Sequence, residues 1–209
     1  MVTNDAMNRE DWNRRYAEKE FVWTVDANRF VTAEIGSMPP GRALDLAAGE
    51  GRNAVWLAEQ SWTVKAIDFS DVAIEKGRQL AAARNVADRI DFVVADLNAY
   101  AFEDESYDLV AIVYLQLPQS ELVPIVQRAA RSVAPGGTFL LVAHDSANLE
   151  HGYGGPQDPS VLYTADQVVA ALGVGFEIEK AGPVDRPVET DEGIRIAIDC
   201  LVRAQRPSV

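Results

Sequence analysis

Two closely spaced glycines in the first third of the chain could hold a nucleotide. They lie in the segment ALDLAAGEGRNA at residues 43–54, in which Gly49, Gly51 and Ala54 match the spacing G-x-G-x-x-A. A glycine backbone can take positive φ angles, and it lets a ligand approach the main chain without meeting a Cβ atom. The helix expected to follow leaves unpaired N–H groups that point at the turn. The segment therefore predicts a nucleotide-binding turn between a strand and a helix.

Two acidic residues accompany this turn. Asp68 ends the next apolar run, about 20 residues after the glycines. A carboxylate at this place can accept hydrogen bonds from both hydroxyls of an adenosine ribose. Asp68 therefore indicates a nucleoside ligand, but it does not indicate the reaction. Asp45 lies four residues before the first glycine, where its side chain could contact the ligand or cap the N–H groups of the turn.

Alternating strands and helices must position these residues. The predicted strands lie at residues 43–46, 62–67, 90–95, 107–113 and 138–143. The segments between them have helical periodicity, with Ser70 as the N-cap of one helix and Pro118 at the start of another. This order predicts a parallel sheet with helices on both faces. Binding residues are then expected at the carboxyl ends of the strands.

The C-terminal part of the chain has a different pattern. Thr164 and Gln167 match a capping box at the start of a short helix, and a strand is predicted at residues 176–181. From Ile194 to Val202, apolar residues at every second position predict a half-buried antiparallel strand. The expected fold class is therefore α/β, a doubly wound, mostly parallel seven-stranded sheet with an antiparallel C-terminal hairpin.

The N-terminal part, residues 1–38, is expected to form a helical extension of a single domain that spans residues 1–209. Its aromatic residues include Trp12, Tyr16, Trp23 and Phe30. These side chains could simply pack on the domain. They could instead cover a ligand site, in which case Arg15 or Trp23 would touch the ligand.

Composition narrows the class of protein. A net charge of −13 and a pI near 4.5 argue against a nucleic-acid partner. We see neither an apolar run approaching the roughly 20 residues of a membrane span nor an apolar leader, so we expect no membrane partner and a cytoplasmic location. Cys200 is the single cysteine, and the histidines are His144 and His151 alone. We therefore expect no internal disulfide and no metal site.

Three further segments help to identify the ligand. Asp96 and Leu97 follow the third strand, Tyr107–Val110 begins the fourth, and a Pro-Gly-Gly turn at residues 135–137 precedes the fifth. Together with the glycine turn and Asp68, these segments resemble the class I S-adenosylmethionine-dependent methyltransferases over residues 42–142. The segment WNRRY at residues 12–16, taken with Gly-Arg-Asn after the turn, resembles the tellurite-resistance and thiopurine methyltransferase group, small enzymes that act on low-molecular-weight nucleophiles.

The resemblance implies a Rossmann-like fold, S-adenosylmethionine as the cofactor, and roles for individual residues. Asp68 would hold the ribose hydroxyls, Asp96 would bond the adenine amino group, and Leu97 would pack on the adenine ring. Tyr114 would border the transferable methyl group. The residues expected at the cofactor are Asp45, Ala47, Gly49, Gly51, Arg52, Asp68, Phe69, Asp96, Leu97, Tyr114 and Arg15.

The expected reaction moves a methyl group to a small-molecule nucleophile. Arg52 or Arg15 would pair with the methionine carboxylate. A thiolate or an oxyanion needs no strong base, but a neutral hydroxyl or amine needs one. His144, at the end of the fifth strand beside Asp145, is the best placed base, although a loop or capping role is also open to it.

Two other functions are compatible with the glycine turn at residues 49–54. The glycine spacing and Asp68 are compatible with an NAD(P)-dependent oxidoreductase, although the sequence contains no clear hydride-transfer constellation. A non-catalytic protein that binds the cofactor on the same fold is the third possibility. The sequence leaves the oligomeric state open between a monomer and a homodimer.

Overall fold

The computed structural model of the protein describes residues 7–208, and its strands form one sheet. The strands are β1 (Arg42–Leu46), β2 (Thr63–Asp68), β3 (Ile90–Val94), β4 (Tyr107–Val113), β5 (Val133–His144), β6 (Glu177–Thr190) and β7 (Gly193–Gln205). The helices are α1 (Arg9–Ala17), α2 (Arg29–Ile35), α3 (Arg52–Glu59), α4 (Asp71–Ala83), α5 (Gln119–Ser132), α6 (Asn148–His151) and α7 (Ala165–Leu172). Short 3₁₀ turns lie at Ala87–Arg89 and Pro159–Val161.

The sheet is mostly parallel. Its strand order is β3-β2-β1-β4-β5-β7-β6, and β1 to β5 pair in parallel while β7 runs antiparallel to both β5 and β6. The predicted seven-stranded fold class is confirmed. The register of β5 and β7 places His144 directly opposite Asp199.

Helices cover both faces of the sheet because successive strand side chains point in opposite directions. In β1, Leu44 and Leu46 belong to a buried cluster with α5 and α7, whereas Ala43 belongs to a second cluster with α2, α3 and α4. No helix within residues 7–208 combines the length and apolarity needed to cross a membrane.

The helix starts follow the local signals. The hydroxyl of Ser70 accepts a hydrogen bond from the N–H of Ala73 at the start of α4. At the start of α7, Thr164 and Gln167 form a complete capping box. Pro118 is the N-cap residue of α5. These three predictions are confirmed.

The C-terminal hairpin is longer than predicted. β6 runs from Glu177 to Thr190, beyond the strand expected at residues 176–181. Pro183 and Pro187 interrupt the sequence pattern, but β6 is an edge strand, where a residue without an N–H group is tolerated. β5 also starts earlier, at Val133, with an irregular register beside β4 that includes the Pro-Gly-Gly turn.

The period-two pattern of β7 is misleading at the hairpin tip. The tip pairs with β6 alone, so Ile194 and Ile196 are 68% and 40% exposed. On the opposite phase, Ala197 and Asp199 are fully buried. Burial along this strand is therefore set by the neighbouring β5 and not by alternation alone.

The N-terminal segment packs against the domain through polar contacts. Arg9 and Asn13 of α1 donate to the carboxylate of Asp71 at 3.0 and 2.8 Å. The carboxylate of Glu50 accepts from the main-chain N–H groups of residues 22 and 23. Between α1 and α2 the chain is not helical, and residues 1–6 of the expected extension lie outside the described residues.

Candidate functional site

Two adjoining cavities of about 380 Å³ each open above the carboxyl ends of the parallel strands. We call them the strand-2 cavity, which Asp68 lines, and the strand-5 cavity, which His144 lines. Both are lined by Trp12, Tyr16, Ala47, Tyr114 and Gln116. Parallel α/β sheets bind ligands at this edge, where the strand order reverses.

Strained backbone lies where the two cavities meet. Ala47 and Tyr114 have φ angles of 56° and 58°, a region that residues with a Cβ atom rarely occupy. Both directly follow a strand, β1 and β4 respectively, and both line the two cavities. Strain of this kind persists only when the surrounding packing imposes it, and it clusters at functional sites.

The two glycines of the turn serve different purposes. A Cβ atom on Gly49 would lie 3.0 Å from Oη of Tyr16, and Gly49 lines the strand-5 cavity. A Cβ atom on Gly51 would lie 2.9 Å from the ring of Phe92 and 3.2 Å from Cα of Gly77. Gly51 is therefore needed for packing between α3, α4 and β3, and it is not among the lining residues of either cavity.

Asp68 organises the turn from the end of β2. Its carboxylate accepts the N–H groups of Gly49 at 2.8 Å and Ser70 at 2.9 Å. Burial raises the pKa of Asp68, although these hydrogen bonds oppose the rise. The carboxylate oxygens retain lone pairs for further donors. Asp68 can therefore hold the turn and a ligand hydroxyl at the same time.

Six of the predicted site residues line the strand-2 cavity, and two of them, Ala47 and Tyr114, also line the strand-5 cavity. The other four are Asp68, Phe69, Asp96 and Leu97. The carboxylate of Asp96 also accepts the N–H of Asn98 at 2.8 Å, which orients it after β3. The cavity thus combines the carboxylates of Asp68, Asp96 and Glu121 with apolar side chains, a combination suited to a sugar and a flat base.

Asp45 is buried within β1. Its side chain is fully buried, and neither carboxylate oxygen has a hydrogen-bond partner among the described residues. Burial, followed by the charge of Asp68, raises the pKa of Asp45 to about 7, with Arg52 acting in the opposite direction. Asp45 does not line either cavity.

The two predicted carboxylate-binding arginines lie in different surroundings. Arg52 begins α3 and lines the strand-5 cavity, where Nη1 is 3.4 Å from Oγ1 of Thr24. Burial lowers its pKa. Arg15 is outside the lining residues, and its guanidinium carbon lies 5.3 and 5.2 Å from the ring centroids of Trp12 and Trp23. The structure therefore brings Arg52, and not Arg15, to a cavity.

A buried carboxylate that the sequence analysis missed organises the strand-5 cavity. Asp199 of β7 accepts from Oη of Tyr114 at 2.7 Å and from Nε of Arg186 at 2.6 Å. Nδ1 of His144 lies 3.3 Å from its Oδ1. Although burial disfavours its charge, the contacts with His144, Arg186 and Tyr114 hold the pKa of Asp199 below its usual range.

The acidic residue that contacts His144 is not its neighbour in the chain. Asp145 follows His144 in the chain, but its carboxylate accepts the N–H of Ala147 at 2.9 Å. Asp199 is the acidic residue beside the imidazole, and the pairing of β5 with β7 puts it there. The one available signal was an aspartate in an otherwise apolar stretch of β7.

Metal ligands are not grouped in this region or elsewhere in the part of the chain that the structure describes. Residues 7–208 contain no cluster of three or more histidine, cysteine, aspartate or glutamate side chains that could hold a metal ion. Cys200 is a buried free thiol, and burial raises its pKa to about 12.

Comparison with known proteins gives consistent matches. A family described as "methyltransferase domain" matches residues 43–137. The demethylmenaquinone methyltransferase of Clavibacter sepedonicus is 34% identical over 120 residues, which cover 57% of this chain and 46% of that protein. The chain thus spans about half the length of the curated relatives it matches.

Two solved structures share the fold at low sequence identity. TehB from Haemophilus influenzae is 20% identical with a TM-score of 0.72, and the match covers 96% of this chain and 67% of that one. The N-methyltransferase NodS from Bradyrhizobium japonicum, solved with S-adenosyl-L-homocysteine, is 16% identical with a TM-score of 0.71 and coverage of 96% and 98%.

These matches confirm the broad resemblance to methyltransferases, and they do not confirm the narrower tellurite-resistance and thiopurine group. The family match includes the glycine turn, Asp68 and Asp96. Residues 43–137 match the methyltransferase-domain family, and the fold is that of the class I S-adenosylmethionine-dependent methyltransferases.

Proposed function

We propose that this protein transfers a methyl group from S-adenosylmethionine to a small-molecule nucleophile. The observation that carries the proposal is the pair of adjoining cavities, one built from carboxylates and apolar side chains and the other containing a histidine beside a buried aspartate. Tyr114 and Ala47 line both, so ligands in the two cavities would meet at these residues.

The residues of the strand-2 cavity fit the adenosine part of the cofactor. Asp68 offers a carboxylate to the ribose hydroxyls, and Asp96 offers one to the adenine amino group. Leu97 and Phe69 supply apolar surface for the ring. Arg52, in the adjoining cavity, would pair with the methionine carboxylate.

The bound cofactor supplies a methyl group on an already activated sulfonium, so the protein mainly has to align the nucleophile and exclude water. Alignment and water exclusion contribute up to roughly 7–11 kcal/mol when the geometry is close to attack. Trp12 and Tyr16 of the N-terminal helix line both cavities and shield them from one side. His144 would take the proton from a neutral hydroxyl or amine.

The nature of the acceptor is also part of this proposal. The matched relative is named as a demethylmenaquinone methyltransferase, which supports a ring-bearing acceptor here. The cavity volume of about 380 Å³ favours a small molecule. The net charge of −13 disfavours a nucleic-acid acceptor, because phosphate backbones would be repelled.

Calorimetry with S-adenosylhomocysteine tests the cofactor assignment. We expect saturable binding, and absence of binding at high micromolar ligand would overturn the proposal. A fluorescence titration with NADH is the parallel test for an oxidoreductase, and we expect no binding. A methyl-transfer screen with small thiols, chalcogen oxyanions and phenols then separates an enzyme from a protein that only binds the cofactor.

A further inference from the structure

Arg186 is a guanidinium in the strand-5 cavity to which the proposed function assigns no task. It lies on β6, and its side chain reaches back toward the cavity. Nε is 2.6 Å and Nη2 is 3.5 Å from the carboxylate oxygens of Asp199, and the guanidinium carbon lies 5.7 Å from the ring centroid of Tyr114. A guanidinium has five N–H donors, so this pairing leaves donors for another partner.

The lining of this cavity is positively charged, in contrast to the chain as a whole. Its arginines are Arg29, Arg52 and Arg186. Its lining carboxylate is Glu50, which is already paired with Nζ of Lys76 at 3.1 Å. Even when Asp199 neutralises the charge of Arg186, the side chains that line the strand-5 cavity carry an excess of positive charge. For a small ligand inside the cavity, local charge of this kind matters more than the net charge of the protein.

Asp199 contacts two side chains with different proposed tasks. His144 and Arg186 each contact Asp199, so the imidazole and the guanidinium are neighbours at one end of the cavity. The ring of His144 lies 4.7 Å from that of Tyr114, and Trp12 and Tyr16 also line the cavity. A flat ring with a nucleophile at one position and a negative group at another would match these walls.

We infer that Arg186 binds an anionic group of the methyl acceptor, and that the acceptor is a small aromatic anion. This inference rests on the proposed function, because it assigns Arg52 to the cofactor and leaves Arg186 as the partly buried guanidinium on the acceptor side. A carboxylate or similar oxyanion on the ring pairs with Arg186. The hydroxyl or thiol of the acceptor then faces His144.

Calorimetry on the full chain saturated with S-adenosylhomocysteine tests the inference without requiring turnover. The probes are 4-hydroxybenzoate and salicylate, each compared with its neutral methyl ester. We expect the acids to bind about tenfold or more tightly than the esters, the scale of a charge-assisted hydrogen bond. In Arg186→Gln the preference for the acids should disappear, and Arg186→Lys should retain part of it.

Arg195→Gln is the matched control. Arg195 lies on the partner strand of the same hairpin, where it is exposed and pairs with Glu192. This variant should keep the full preference for the acids. Equal binding of acid and ester to the unaltered protein, no binding of either acid, or an undiminished preference in Arg186→Gln would each overturn the inference. If S-adenosylhomocysteine itself does not bind, the proposed function fails first.

Discussion

His144 and Asp199 face each other across β5 and β7, with Nδ1 of the imidazole 3.3 Å from Oδ1 of the carboxylate. A carboxylate beside Nδ1 favours the tautomer whose other nitrogen, Nε2, is free to accept a proton. The arrangement suits a general base in a cavity, and it needs no second acidic residue from the neighbouring sequence.

Replacement of this histidine should affect turnover more than cofactor binding. We expect His144→Gln to lower kcat for a phenol acceptor about 10²–10⁴-fold, the usual contribution of a positioned base. The affinity for S-adenosylhomocysteine should stay within about twofold, because the residues proposed to bind adenosine lie in the other cavity. The exposed His151 offers a matched control, and His151→Gln should leave kcat unchanged. An active His144→Gln variant would remove the base from the mechanism.

Asp68→Ala should weaken cofactor binding by about 1.5–3 kcal/mol, the scale of charge-assisted hydrogen bonds. Because Asp68 also accepts the N–H groups of Gly49 and Ser70, part of the loss will come from the turn itself. Calorimetry with S-adenosylhomocysteine measures the change. The control is Asp91→Ala on β3, where the side chain is 66% exposed. Unchanged affinity in Asp68→Ala would exclude this carboxylate from the site.

Replacement of Arg52 and replacement of Arg15 should have different effects on cofactor binding. Arg52→Gln should weaken S-adenosylmethionine binding about tenfold or more, because this side chain lines the cavity and would pair with the methionine carboxylate. Arg15→Gln should have a smaller effect, because its guanidinium lies between two indole rings. Titration of both variants with S-adenosylmethionine measures the two affinities. A larger loss of affinity in Arg15→Gln would assign the methionine carboxylate to Arg15 instead.

Asp45→Asn should stabilise the protein at high pH. Burial first, and then Asp68, raises the pKa of Asp45 from 3.8 to about 7. Between these values the unfolded chain has lost the proton and the folded chain keeps it, so stability falls as pH rises, and the full cost is present above about pH 7. The gain in Asp45→Asn should therefore be about 2–4 kcal/mol at pH 8 and should vanish near pH 4.

Denaturant unfolding at pH 4, 6 and 8 measures this gain. Asp88→Asn, at an exposed position in the 3₁₀ turn, is the control and should change the free energy of unfolding by less than about 0.5 kcal/mol. A gain in Asp45→Asn that does not depend on pH would show that the carboxyl group has the same pKa in the folded and unfolded chains.

Glu50→Gln should loosen the N-terminal segment. The carboxylate of Glu50 accepts the N–H groups of Val22 and Trp23 and pairs with Nζ of Lys76. A neutral amide keeps fewer of these contacts, so amide hydrogen exchange should accelerate at residues 22 and 23. Glu59→Gln, which breaks a surface pair with Arg84, is the control. If residues 22 and 23 are protected from amide hydrogen exchange equally well in Glu50→Gln and in the unaltered protein, other contacts hold the segment.

Much of the fold could be predicted because its signals are local. The N-caps at Ser70 and Thr164 depend on residues three positions away, and the apolar runs of the parallel strands mark strands covered on both faces. Prediction was poorer for β6, because Pro183 and Pro187 break the pattern in a strand that only its edge position permits.

The sequence by itself determined the strand–turn–helix unit and the places of Asp68 and Asp96 in the strand-2 cavity, because Asp68 ends β2 and Asp96 lies two residues after β3. Only the tertiary structure decided the strand-5 cavity. Asp199 and Arg186 reach His144 through the register of β5, β7 and β6, a pairing between segments far apart in the chain. Local periodicity carries no information on that register, so the contact between Asp199 and His144 could not be predicted from the sequence alone.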